Sequence, residues 1–351
     1  MLLTRFPRAP VRFSRFGKSS CMPRRVLFIT SSRIGDAVLS SGLLAHLIQR
    51  EPRSKFTVAC GPLVSELFHD VPRLDNIIPL SKKKNGGHWF QLWRETYKKK
   101  WDRIVDLRSS GISYFLRARY RHVLKKSDAH RVVAASEVLG LEAPAAPHIY
   151  LLPDRQRLAV NELGPGPFVA VAPSANWSGK QWPIDRFVDL LKDLTGYGGL
   201  FRDHRILVLG APNERKQIKP LLDAFAGDKI IDNVGRSGLL SVYGYLTACD
   251  FFIGNDSGLM HMAAAAGIPT LGLFGPTDET RYAPWGVHAD FVRGPRSYAE
   301  ILAEPGYDWR KPVSYMLDLE VGTVLAAVHD LKERTDLIVG EIPKRPTLSA
   351  V

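Results

Sequence analysis

Cysteine is scarce in this chain: Cys21, Cys60 and Cys249 are the only three in 351 residues, scattered and without Cys-x-x-Cys spacing. An odd, unclustered set argues against a disulfide framework and against a zinc site, and the expected setting is reducing and cytoplasmic. Long apolar runs are also missing. The longest candidate, residues 262–276, is broken by Gly267, Pro269, Gly272 and Gly275, well short of the roughly 20 residues that cross a bilayer. No Gly-x-Gly-x-x-Gly follows the first apolar run, which continues as "SSRIGDAV"; this argues against a nicotinamide-dependent dehydrogenase. No Asp-x-Asp pair occurs anywhere.

Acids are few relative to bases, 35 against 48, for a formal charge of +13. Such an excess points to an anionic partner: nucleic acid, an acidic membrane face or a phosphorylated substrate. Residues 1–25 hold seven Arg and Lys and no acid. This leader reads as a basic, disordered extension over residues 1–23, with an organelle transit segment or a true start at Met22 as alternatives.

From Arg25 onward, short β-branched runs alternate with amphipathic stretches, the pattern of parallel α/β sheets. "RVLFITSS", "KFTVACG", "NIIPL" and "DRIVDLR" read as strands, with helices over "GDAVLSSGLLAHLIQRE" and around residues 88–99. Residues 141–167 are rich in proline and glycine and read as an interdomain linker. A second series follows: "FVAVAPS", "RILVLGA", "KIIDN", "DFFIGN" and "TLGLFG", separated by helices, with a terminal helix over residues 322–338 and a disordered tail over 341–351. The expectation is two Rossmann-like doubly wound domains, residues 24–155 and 156–340, facing a central cleft. Ligands of such sheets bind beyond the carboxyl ends of the strands.

The segment "DFFIGNDSGLMHMAAAAGIPTLGLFGPT", residues 250–277, is the most informative. A strand stops near Gly254, Asp256 occupies the expected N-cap position, and Gly258 leaves the first helical turn without a side chain. Free amides and the helix dipole there favour an anion such as phosphate. His261, four residues after Ser257, shares its helix face. The plainer reading of the same residues is a capped, closely packed helix with a core histidine.

"GNDSGLMHMAAAAGIPTLGLFGPTDETRYAPWG" resembles the hallmark segment of glycosyltransferase family 9, the lipopolysaccharide heptosyltransferases. "RVLFITSSRIGDAVLSSGLL", "WDRIVDLRSSGISYFL" and "SANWSGKQWPIDRF" resemble three further family landmarks, so the likeness covers residues 25 to about 332. It implies a GT-B fold, an inverting mechanism, and no metal or other cofactor. The donor implied is a nucleotide sugar, ADP-heptose being favoured, with a sugar on another nucleotide as alternative. The acceptor implied is an anionic glycolipid, the lipopolysaccharide inner core or a related cell-surface glycan, met by peripheral contact at the cytoplasmic face of the inner membrane.

Transfer from a nucleoside diphosphate sugar needs a base for the acceptor hydroxyl and charge stabilisation for the departing diphosphate. Asp36 matches the family's catalytic aspartate, although an acid in a first helical turn also compensates a dipole. Lys180 matches the lysine that neutralises the leaving diphosphate. The paired threonines found ahead of that lysine in better-known relatives are replaced by Ala175 and Asn176, leaving Asn176 as the substitute donor to phosphate. Glu214 matches a ribose-binding position, or is an ordinary first-turn acid. Asp256 is assigned to the sugar, since a carboxylate would repel phosphate, His261 to sugar hydroxyls or phosphate, and the amides near Ser257, Gly258 and Leu259 to the diphosphate.

Basic clusters at Lys82–Lys84, Lys98–Lys100 and Arg117–Lys126 fall in the first domain, interleaved with Trp89, Trp93, Tyr97, Trp101, Tyr114, Phe115 and Tyr120. They fit an amphiphilic anionic acceptor at a membrane surface. Nucleic acid is not expected as a partner, since no helix-turn-helix, RNP or zinc-finger pattern is present. A basic non-catalytic nucleic-acid or anionic-surface binder is the alternative function.

Overall fold

The computed structural model describes residues 24–225 and 227–341. The basic leader and the tail after Glu341 lie outside these residues. Eleven strands form two sheets among the described residues, every pairing parallel. The first sheet holds β1 (Arg24–Ile29), β2 (Ser54–Cys60), β3 (Leu74–Pro79), β4 (Trp101–Asp106) and β5 (Ala118–Val123), in the order β3-β2-β1-β4-β5. The second holds β6 (Phe168–Ala172), β7 (Arg205–Gly210), β8 (Ile230–Val234), β9 (Phe251–Asn255), β10 (Thr270–Phe274) and β11 (Ala289–Arg293), in the order β11-β10-β9-β6-β7-β8. Both are doubly wound. Chain direction across each sheet reverses beside its first strand, between β1 and β4 and between β6 and β9, and those crevices are where ligands of such sheets bind.

The central strands β6, β9 and β10 are buried along their whole length, which is why they read as continuous apolar runs. The two strands not foreseen, β5 and β11, are sheet edges. "ARYRHV" and "ADFVR" contain no fully buried position, so neither shows the apolar run of a central strand. The stretch read as linker contains the helix Pro153–Leu163. Its proline stands at the start, where its missing N–H costs nothing, and only Ala159 and Leu163, one turn apart, are buried. That helix runs through the division expected at residues 155/156 and packs on the helix Leu239–Leu246 of the second unit; we therefore place the division ahead of Pro153. The short helix Arg131–Glu137 was likewise not foreseen.

The two units are locked by polar side chains as well as by a continuous apolar cluster that draws on both. Glu66 of the first unit accepts hydrogen bonds from the Leu239 and Leu240 amides, at 2.8 and 3.1 Å. It thereby supplies the cap that the helix start at Gly238 lacks. A Cβ on Gly238 would fall 2.3 Å from that carboxylate. Asp70 receives Arg155 and the Leu152 amide. Burial raises its pKa, but those hydrogen bonds and the Arg155 charge outweigh burial and leave it below the usual range.

Candidate active site

Every candidate site residue lies in the loop or the first helical turns beyond the carboxyl end of a strand. Asp36 lies in the first turn of helix Ile34–Arg50, after β1. It lines a cavity of about 650 Å³ at the β1/β4 crevice, together with Ser31, Arg33, Lys82, Arg108, Lys125, Lys126, Arg131 and Arg281. Seven cationic side chains thus surround a single carboxylate. Ser31 Oγ donates to Asp36 Oδ2 at 3.4 Å, and Arg131 Nε lies 3.9 Å from Oδ1. Arg281 reaches this cavity from the second unit, donating to the Ser127 carbonyl at 3.2 Å.

Asp106, fully buried at the end of β4, orders the opposite wall. Its carboxylate accepts from the amides of Arg108 and Ser110 and from the Ser110 hydroxyl. A short acidic cap on a turn is the ordinary way to hold a loop's amides, and here it aims Arg108 at the cavity.

At the β6/β9 crevice the key side chain is Asn255, 0% exposed. Its Nδ2 donates to the Pro173 carbonyl at 2.8 Å and its Oδ1 accepts from the Trp182 amide at 3.1 Å. The loop carrying Asn176 and Lys180 is therefore tied at both ends to the tip of β9. Trp182, 1% exposed, anchors it further by donating to the Leu319 carbonyl at 2.7 Å.

Lys180 Nζ meets Asp256 Oδ2 at 2.5 Å. Asp256, only 6% exposed, is not the helix N-cap expected of it. Ser257 takes that place, in extended backbone and without a side-chain cap bond. The carboxylate is turned away from the helix start and makes a charge-assisted hydrogen bond with the lysine. Ser257 Oγ is buried without a partner.

Gly258 was expected to open the helix start to a ligand; its missing side chain is occupied instead by the first unit. A Cβ there would fall 2.6 Å from Ile34 Cβ and 3.3 Å from the Gly35 amide nitrogen. Opposite it, a Cβ on Gly35 would meet His261 Cδ2 at 2.8 Å. Two glycines thus let the helices Ile34–Arg50 and Gly258–Ala266 cross at contact distance. His261 is held in that crossing, 4% exposed. Burial is the main cause that lowers its pKa to about 4, against the opposing charges of Asp256 and Asp36. It is a neutral imidazole at pH 7, with Nδ1 buried and unpartnered.

Asp36, His261, Asp256 and Lys180 are thereby brought together across the crossing, with Leu259 half-buried beside it. Glu214 and Asn176 stand apart. Glu214 Oε2 accepts from Ser174 Oγ at 2.6 Å and from the Ala211 amide at 2.7 Å, closing the loop after β7. Asn176 is exposed. Arg108, Arg131, Arg281 and Asn255 were given no role in the sequence reading, because their importance lies in contacts between segments far apart in the chain.

The profile of glycosyltransferase family 9 (heptosyltransferase) matches residues 106–304, more than half of the chain. The chain belongs to glycosyltransferase family 9. It is a glycosyltransferase, as expected from its motifs. Lipopolysaccharide heptosyltransferase 1 of Escherichia coli K12 is 23% identical over 316 residues, 78% of this chain and 94% of that protein. Lipopolysaccharide heptosyltransferase 2 of Salmonella typhimurium LT2 is 22% identical over 357 residues, 88% and 98% of the two chains.

Solved structures share the architecture. The E. coli ADP-heptose lps heptosyltransferase II superposes with TM-score 0.69 at 19% identity, covering 89% of this chain and 99% of that one. The family 9 glycosyltransferase of Veillonella parvula gives 0.73 at 20% identity, covering 90% and 99%. The fold of this family 9 member is therefore the GT-B type expected from its sequence.

Proposed function

We propose that this family 9 glycosyltransferase moves heptose from ADP-heptose to a phosphorylated inner-core acceptor of lipopolysaccharide, with inversion and without a metal. The observation that carries the reading is Asp36, the lone carboxylate in a cation-lined cavity, placed across the glycine crossing from Lys180. The names of the relatives supply the sugar and the acceptor class.

The acceptor's anionic groups engage Arg33, Lys82, Arg108, Lys125 and Lys126, leaving one hydroxyl at Asp36. The carboxylate takes that proton as the oxygen attacks the anomeric carbon. The bond from that carbon to the diphosphate breaks on the opposite face, which inverts the configuration. The departing charge falls to Lys180 and to the first-turn amides of Ser257, Gly258 and Leu259, which have no intrahelical acceptors. Asp256 holds the lysine at this position and faces the sugar, Asn176 reaches a phosphate oxygen, and Glu214 takes the ribose with the carboxylate oxygen that Ser174 and Ala211 leave free. With the lysine and amides in that role, no carboxylate pair for a metal-bound diphosphate is required.

The test is a binding panel of ADP, GDP and UDP on residues 22–351, followed by turnover of ADP-heptose in EDTA. Stabilisation by ADP and EDTA-resistant transfer support the proposal. Stabilisation by GDP or UDP alone replaces the donor, and no transfer in EDTA with recovery on adding a divalent cation removes the metal-free mechanism.

A further inference from the structure

The cations and exposed aromatics of the first unit are concentrated in one stretch. Residues 82–126 hold fourteen of the chain's 48 Lys and Arg but three of its 35 acids. The same stretch contains exposed Phe90 (62%), Tyr114 (65%), Phe115 (74%) and Tyr120. No other phenylalanine among the described residues is exposed.

Three elements bring them to one edge of the sheet: the helix Gly87–Thr96, the turn Ile112–Phe115 that packs against it, and the edge strand β5. The helix buries Leu92 and Thr96 and turns Phe90 outward, where it stacks on Trp93, itself stacked on Tyr97 at 4.6 Å between centroids. Lys98 lies over Tyr97, Arg121 over Tyr114, and Arg103 and Arg119 over Tyr120. Rings placed among cations and left facing water are suited to an interface that is apolar on one side and anionic on the other.

We propose that this edge is the surface by which the protein docks on an anionic phospholipid bilayer, with Phe90 and Phe115 entering the headgroup region and the lysines and arginines facing lipid phosphates. Charge complementarity fits any polyanion, and the rings decide between them: Phe90, Trp93 and Tyr97 are stacked on one another, leaving few open faces for the base stacking that a single nucleic-acid strand uses, whereas a headgroup region takes up apolar rings without stacking. Lys82, Lys125 and Lys126 belong to the same stretch and also line the Asp36 cavity, so docking would present the cavity to an acceptor held in the membrane. The inference rests on the reading of the acceptor as a glycolipid.

Vesicle sedimentation of the purified chain tests it, with neutral phosphatidylcholine against phosphatidylcholine containing one-third phosphatidylglycerol, and without donor or acceptor. Binding to the anionic vesicles only is expected, with a blue shift of tryptophan fluorescence. Phe90→Ser/Phe115→Ser should weaken it by roughly tenfold or more through lost apolar burial in the headgroup region, and Lys98→Glu/Lys100→Glu by roughly tenfold or more through lost attraction to the lipid phosphates. None of these four residues lines the cavity, so turnover of a soluble, lipid-free acceptor should be unchanged. Equal binding to both vesicles, no binding, or wild-type binding by the phenylalanine variant overturns the proposal. Retention of DNA in place of vesicles does so too. Because these readouts use no sugar donor, docking and glycosyl transfer fail or succeed separately.

Discussion

Lys180 and Asp256, 76 residues apart in sequence, meet as an ion pair at 2.5 Å where the loop after β6 faces the tip of β9. Asn255, one residue before the acid, holds both ends of the lysine's loop. Removing the cation alone leaves a nearly buried carboxylate uncompensated. Lys180→Met should therefore cost about 3 kcal/mol in denaturant unfolding, and adding Asp256→Asn should return most of it. Costs that simply add would show that the pair contributes nothing to stability. In either background the affinity for ADP should fall.

Asp36→Asn keeps the shape of the cavity and removes its only proton acceptor. Turnover should drop by roughly 10²–10⁴-fold, the usual contribution of a general base, while nucleotide affinity stays nearly unchanged. Normal turnover in this variant would remove Asp36 from the mechanism.

The glycine crossing is tested by comparing two helical alanine substitutions. Gly258→Ala puts a Cβ 2.6 Å from Ile34 Cβ, where no flexible end can give way, and should cost about 1–3 kcal/mol. It should also lower turnover, since Asp36 and Lys180 belong to opposite units. Gly322→Ala, with nothing within 4 Å of the new atom, should be neutral or stabilising by about 0.5–1 kcal/mol. Melting temperatures of the two variants decide it, and equal values would show that the crossing is compliant.

His261 makes stability depend on pH. Its pKa is near 4 when folded and 6.5 when unfolded, so the unfolded chain binds the extra proton first. Its contribution is fully present above pH 6.5 and is lost as the pH falls toward 4, on the order of 3 kcal/mol in total. Burial also lowers the pKa of His122, His130, His148 and His204, which steepen the same slope. His261→Asn should flatten melting temperature against pH in that window; an unchanged slope would assign it to the other histidines.

Arg281 enters the acceptor cavity from the second unit. Arg281→Met should raise the acceptor KM by roughly tenfold, equivalent to about 1.4 kcal/mol, with donor affinity preserved. An altered donor KM and an unchanged acceptor KM would instead place it on the nucleotide side.

The sequence by itself determined the two doubly wound units, the family and the strand ends that carry Asp36, Lys180, Glu214 and Asp256. Those features are local: buried parallel strands read as apolar runs, and a motif is a short spacing of residue types. It missed the edge strands β5 and β11, which bury too little to leave an apolar signature, and the helix Pro153–Leu163, whose starting proline read as a linker signal. Only the tertiary structure decided that Asp256 holds Lys180 and is not a cap, that Gly258 admits Ile34, and that Glu66 caps a helix of the other unit. Each depends on which distant group fills the space beside a side chain, and chain spacing carries no record of that. The same holds for the cavity, where Arg108, Arg131 and Arg281 converge on Asp36 from three separate segments.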